Sequence, residues 1–202
     1  MKLYGSFTSP YVRRVRVVAA ELDVPVELVN TATEEGQAAL RAVTPIGKVP
    51  VAEVEVPGGG RRVIFDSHVI LDWLTGLHGF GPLRPPADPW RERNLGNAID
   101  GALESGILLA SLRRDGLPTE GNAFADRQRA RIASIFGWLE GEASGGGFSP
   151  GGGLGLTELA LITTLDWMTF RDVYRVAAHP ALVAVRAAHE GRSSLKTTLP
   201  PP

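Results

Sequence analysis

The chain of 202 residues contains no cysteine, which excludes disulfides, thiolate metal sites and a cysteine nucleophile. Its four histidines are scattered without ligand spacing, so no metal is expected. No apolar run approaches the roughly 18 residues that a membrane helix needs, and no basic segment leads into an apolar one at the start. Neither membrane insertion nor secretion is expected, and the reading is a cytoplasmic protein. A net charge of −1 leaves no basic excess for nucleic acid or an anionic membrane. Lysine is scarce, with only Lys2, Lys48 and Lys196, and arginine carries the rest of the positive charge. What is present is 44% hydrophobic residues on a length that makes one large domain or two small ones, enough to bury a core without staples.

Taken in order, Lys2 to Gly5 reads as a short strand, and Ser6 to Ser9 as a polar turn. Ser9 followed by Pro10 is a helix start, a hydroxyl N-cap with proline at the first helical position. Val12, Val15, Ala19 and Leu22 then share one helical face. A second strand spans Pro25 to Asn30 and a short helix Glu34 to Val43. Val51 to Val56 alternates as a half-buried strand, Pro57 to Gly60 turns the chain, and Arg61 to Phe65 returns as its antiparallel partner. Asp66-Ser67 opens a helix carrying Val69, Ile70, Trp73 and Leu74. This order fits a thioredoxin-like arrangement, a four-stranded mixed sheet that begins with a parallel crossover.

Residues 78–89 are rich in glycine and proline and read as a linker between residues 1–77 and a domain over 90–202. Beyond the linker no strand pattern recurs. Trp90 to Arg114, Phe124 to Glu142, Leu156 to Phe170 and Ala181 to His189 carry helical spacing, so the second domain is read as an all-α bundle with Leu156 to Phe170 at its core. The glycine-rich stretches 144–147 and 151–153 lack the lysine ending and preceding strand of a phosphate cradle, and read as a plain loop.

The stretch that carries most chemistry is Thr44-Pro45-Ile46-Gly47-Lys48-Val49-Pro50-Val51. A proline at the mouth of an apolar strand removes a ladder donor, and reads either as a rigid turn with an ordinary trans bond or as an invitation to a cis Val49-Pro50 bond. The Val49 N–H and C=O would then face outward and bind an extended, peptide-like ligand in strand fashion, with the Lys48 cation beside them.

A small mixed-sheet domain followed by a helical one, with KLYGSFTSPYVRRVR, TPIGKVPV and FDSHVILDWL at these places, resembles the cytosolic glutathione transferases over essentially the whole chain. The tail from LTELALITTLDWMTFR to HPALVAVRAAHEGRSSLKTT is similar to a small bacterial subgroup of that family. The resemblance implies a glutathione transferase with a serine-type site acting on a small hydrophobic electrophile, and a cytoplasmic homodimer. It implies that Ser9 donates a hydrogen bond to the glutathione sulfur, with Ser6 and Thr8 as rivals and simple N-capping as the alternative. It implies that Lys48 meets the glycine carboxylate, that Val49 and Pro50 hold the backbone, and that Asp66 and Ser67 receive the γ-glutamyl group. An electrophile pocket would draw on Phe7, Tyr11, Leu103, Glu104 and Ile107. Tyr4 is read as packing and Asp100 as an exposed helix acid. In the family the core helix opens with a hydroxyl residue and an aspartate three positions on. Here Thr157 is followed by Ala160, so a cap hydroxyl is expected at Thr157 with its reciprocal partner lost, on the order of 1 kcal/mol of local helix stability. A non-catalytic thiol-binding or stress-response protein on the same fold is the rival function.

Overall fold

The computed structural model describes residues 1–143 and 147–201, so Ser144 to Gly146 of the expected glycine loop lie outside the described residues. In chain order the elements are β1 (Lys2–Gly5), α1 (Pro10–Glu21), β2 (Glu27–Asn30), α2 (Glu34–Val43), β3 (Val51–Glu55), β4 (Arg61–Ile64), α3 (Ser67–His78), α4 (Pro89–Arg114), α5 (Ala123–Glu142), α6 (Leu156–Phe170), α7 (Pro180–Ala187) and α8 (Ser193–Thr197). A short 3₁₀ turn at Val176–Ala178 precedes α7. The chain divides into two compact units, Met1–Leu83 with Gly191–Pro202, and Arg84–Glu190. Among the described residues no helix is long and apolar enough to cross a membrane.

In the first unit the sheet order is β2-β1-β3-β4, with β1 and β2 parallel and the other neighbours antiparallel, which is the mixed sheet expected. Alternation along β1 sends Leu3 and Gly5 to one face and Tyr4 to the other. Tyr4 packs with Val51 and with Leu40 of α2, flanked by Val29, Val43 and Val63. On the opposite side α1 buries Val12, Val15, Val18 and Ala19 completely and packs against α3, which buries Ile70 and Leu74. β2 is shorter than the sequence suggests and begins at Glu27. Pro25 has no N–H for a ladder, and its carbonyl instead accepts from the N-terminal ammonium at 2.8 Å.

The tail Gly191–Pro202 groups with this unit, whereas the sequence reading places it with the bundle. The reason is polar and long-range. Arg13 of α1, only 3% exposed, donates through Nε to the Thr198 hydroxyl at 3.3 Å and through Nη2 to the Leu195 carbonyl at 3.1 Å, satisfying the end of α8. At the other end of α1, Glu21 pairs with Arg192 at 2.6 Å and accepts the Ser194 hydroxyl.

The second unit is helical throughout. Its central helix α6 buries Leu159, Leu161, Ile162, Leu165 and Met168, with side chains covered around most of its circumference. Its start differs from expectation. The N-cap is Gly155, which has no side chain, and the carboxylate of Glu158 reaches back to accept the Gly155 N–H at 3.0 Å. Thr157 lies inside the first turn, and its hydroxyl donates instead to the Glu92 carbonyl on α4 at 3.3 Å. The reciprocal partner is therefore not lost at Ala160; half of the box is present in another register.

Glu158 belongs to a buried ionic cluster. Arg84 grips Glu92 with two bonds of 2.8 Å and Glu158 with one of 3.0 Å, while its backbone N–H donates to the Leu154 carbonyl at 2.8 Å. Glu92 also accepts from the Ala87 N–H and the Ser149 hydroxyl, and Glu158 from the Phe148 N–H. Burial pushes the Glu92 carboxyl up, but Arg84, the Ala87 amide and Ser149 together hold it below its ordinary 4.5. Because the folded value is the lower one, the unfolded chain takes up the proton first. Glu92 therefore contributes fully above about pH 4.5 and loses its contribution as pH falls through the folded value. Arg84→Met should cost about 3–5 kcal/mol at neutral pH by leaving buried carboxylates uncompensated. In that variant burial is opposed only by the Ala87 amide and the Ser149 hydroxyl, so the Glu92 carboxyl rises and the gap from wild type should narrow as pH falls from 7 toward 5. Urea midpoints of both proteins at each pH check this; a gap that stays constant rejects it.

Candidate functional site

The strand register decides which loops meet. Tyr4 stands opposite Val51 and Ala52 opposite Ile64. The C-terminal end of β1, the N-terminal end of β3 and the C-terminal end of β4 therefore open at one edge of the sheet. The segments that leave or enter there are the Ser6–Ser9 turn, Lys48-Val49-Pro50 and Asp66-Ser67, the three that the sequence singles out.

Ser9 is the N-cap of α1 and its Oγ accepts the Val12 N–H at 3.3 Å, with Pro10 at the first helical position. Capping consumes a lone pair of the hydroxyl and leaves its hydrogen available to an acceptor beyond the helix end. Capping and donation are thus compatible roles for one side chain. The helix end adds its own positive dipole at the same place. Ser6 and Thr8 are engaged with each other, their hydroxyl oxygens 3.4 Å apart. Gly5 lets the start of α1 lie close to β1: a Cβ built there would lie 2.3 Å from Val12 Cγ2, on the residue whose N–H Ser9 caps.

In the second loop the Val49-Pro50 bond is cis, as the sequence invites. Gly47 has φ +61°, a conformation open to glycine at little cost, and it hands the chain to an exposed Lys48, a half-buried Val49 and a buried Pro50. In the third, Asp66 caps α3 by accepting the His68 N–H at 2.9 Å, and Ser67 at the first helical position is 1% exposed. The Phe65-Asp66 bond before them is also cis.

The expected pocket residues fall into different environments. Phe7 and Glu104 are exposed, Tyr11 and Ile107 half-buried, and Leu103 is wholly buried in the core of the helical unit. Asp100, expected as an exposed acid, is only partly exposed. Tyr4 does more than pack. Its hydroxyl donates to the Glu53 carboxylate, and burial followed by that bond pushes its pKa up to about 12, so it is committed within the sheet. The sequence reading passes over one neighbour of the turn, Arg16, whose guanidinium carbon lies 5.1 Å from the centre of the Phe7 ring. The signal available for it is the basic run Arg13-Arg14-Val15-Arg16, which places charge on a helix that otherwise carries an apolar face.

Comparison with known proteins gives two family matches. Residues 3–86 match the glutathione S-transferase N-terminal domain family and residues 122–188 the glutathione S-transferase C-terminal domain family. The chain is 29% identical over 208 residues to the uncharacterized GST-like protein YibF of Escherichia coli (strain K12), covering 100% of this chain and 99% of that one. A crystal structure of a glutathione transferase family member from Pseudomonas fluorescens Pf-5, with bound glutathione, superposes with a TM-score of 0.81 at 28% identity over 100% of this chain and 99% of that one. A glutathione S-transferase from Methylobacterium radiotolerans in complex with glutathione sulfonate gives 0.75 at 26% identity over 98% and 94%.

The contact at Gly5 is directly testable. Gly5→Ala should destabilise the protein by about 1–3 kcal/mol through overpacking against Val12. The double variant Gly5→Ala, Val12→Ala should be more stable than the sum of the two single losses, because the second change removes what the first collides with. Thermal melts of the four proteins measure this, and strict additivity would reject the contact.

Proposed function

Because the chain belongs to the glutathione S-transferase superfamily, we propose that it is a glutathione transferase in which the Ser9 hydroxyl stabilises the glutathione thiolate for attack on a small hydrophobic electrophile. The observation that carries this reading is the Ser9 hydroxyl at the start of α1, with one lone pair occupied by the Val12 N–H and its hydrogen left to give. An unperturbed thiol has a pKa of about 8.5 and is mostly protonated at neutral pH. A donated hydrogen bond and the dipole at the helix start both favour the anion without any base. The rest of glutathione follows the converging loops. The Lys48 ammonium meets the glycine carboxylate, the Val49 backbone pairs with the cysteinyl unit beside Pro50, and the α3 start at Asp66 and Ser67 receives the γ-glutamyl carboxylate and amine. Phe7 and Tyr11, both of the first unit, are assigned to the electrophile side. In this reading the protein is a cytoplasmic homodimer, which light scattering checks; the mass of one chain at micromolar concentration would reject the dimer.

Millimolar glutathione should raise the melting temperature of the folded protein, and an unmoved temperature would mean that the site takes another thiol or none.

Ser9→Ala should slow conjugation of an aromatic halide by about one to two decades at neutral pH, the worth of a hydrogen bond to a charged group. Glutathione affinity should change little, because the anchors lie elsewhere. Removing the donor raises the bound thiol's pKa, so the deficit should shrink as pH rises and the thiolate fraction recovers. Ser9→Asp keeps a cap acceptor and gives no hydrogen, so it should fold and remain slow. Full activity in both variants would leave Ser9 as a helix cap alone. Turnover absent in wild type, with glutathione still bound, would favour the non-catalytic thiol-binding reading.

A further inference from the structure

Among the described residues Arg16 has no acid partner. Among the described residues the acceptor offered to it is the Thr198 carbonyl, at 3.5 Å, the limit of a hydrogen bond. Its remaining contact is with the Phe7 ring, at 5.1 Å. A guanidinium carries five N–H donors, so most of its capacity is unspent while the side chain stays half-buried. Burial and the nearby charge of Arg13 both push its pKa down, the mark of a cation that lacks a counter-charge.

Its place on α1 gives that vacancy a direction. Arg16 lies seven positions after Ser9, about two helical turns or about 10 Å along the axis. Helical side chains lean toward the N-terminus, and this one runs back to Phe7, two positions before Ser9 in the turn. Phe7 is 41% exposed, so one side of the ring meets the guanidinium while much of the residue is open to an incoming molecule. An apolar plate and a cation are therefore stacked beside the hydroxyl assigned to the sulfur.

We propose that Phe7 and Arg16 form an anion-selective electrophile subsite, so that the preferred acceptors are aromatic or conjugated molecules carrying a carboxylate about one ring's width from the carbon attacked by sulfur. The acceptor's apolar body lies on Phe7, and its carboxylate takes the unspent guanidinium donors, in the bidentate geometry arginine favours. This deepens the transferase reading and rests on it. In the substitution the thiolate sulfur bonds to the ring carbon and chloride leaves with its electron pair. The acceptor's carboxylate takes no part in the bond changes, and Arg16 acts on binding and orientation.

The test uses 4-chloro-3-nitrobenzoate and its methyl ester, which share the reacting carbon and differ in charge. Calorimetric binding of each is measured with and without S-methylglutathione, and turnover with glutathione, for wild type, Arg16→Met and Arg16→Lys. Wild type should bind the carboxylate about tenfold more tightly than the ester, as a desolvated charged hydrogen bond gives. Arg16→Met should abolish that preference, chiefly by raising KM for the acid until acid and ester are handled alike, and Arg16→Lys should keep part of it. A preference that is missing in wild type, or that survives Arg16→Met in a folded protein, overturns the subsite. If Arg16 serves only to pack Phe7 and the tail, Arg16→Met lowers the melting temperature with equal effects on acid and ester, which also overturns it. Carboxylate-selective binding without turnover would refute the transferase reading and leave the subsite standing. Turnover without selectivity would do the reverse.

Discussion

The helical unit depends on one guanidinium set between two buried acids. Arg84 holds Glu92 on α4 and Glu158 on α6, and those carboxylates in turn collect the N–H groups of Ala87, Phe148 and Gly155 and the hydroxyl of Ser149. A charge taken out of water is costly unless paired, and removing the arginine would strand two acids that are 6% and 1% exposed. The cluster thereby ties the starts of two helices and the loop between α5 and α6 to one point. Leu159, Leu161 and Ile162 can fill a core under many arrangements of similar volume, whereas the fork of Arg84 satisfies its acceptors in one. Apolar burial supplies most of the driving force for this unit, and the ionic cluster selects the register in which it is spent.

A comparable constraint acts in the first unit, with backbone in place of charge. The close passage of α1 over Gly5 sets the height of the helix start, and the strand register brings two other loop segments to the same edge. A site composed this way needs few dedicated side chains. Ser9 ends a helix and still has a hydrogen to donate, and Asp66 caps α3 while lying where a ligand's amine is assigned. The same economy holds for the tail, where Arg13 closes the end of α8 and its neighbour Arg16 is left facing Phe7 with capacity to spare.

How much of this was legible depended on how far the partners lie along the chain. The Ser9-Pro10 helix start, the cap at Asp66, the alternation of β3 and the proline at position 50 are settled by contacts within a few residues, and all were readable. The order of strands and helices followed, and with it the mixed sheet and the helical bundle. The cap of α6 was misplaced by two residues because Thr157 has the local look of an N-cap, and its hydroxyl is drawn away by Glu92, which is 65 positions distant. Ile107 and Leu103 look alike in sequence, yet only packing decides that one is half-buried and the other closed off.

Local chemistry by itself determined where helices begin and where strands turn, since each of those choices is made by a residue and its near neighbours. Tertiary structure alone decided that Tyr4 gives its hydroxyl to Glu53, that Gly191–Pro202 docks on α1 through Arg13 and Glu21, and that Arg84 gathers two acids under one guanidinium. The physical reason is that a charged or hydroxyl side chain reads as solvated surface until a partner elsewhere in the fold, from 8 to 185 positions away, removes its water. Periodicity registers which residues leave water because they are apolar; it carries no record of polar groups that leave water because they have found each other.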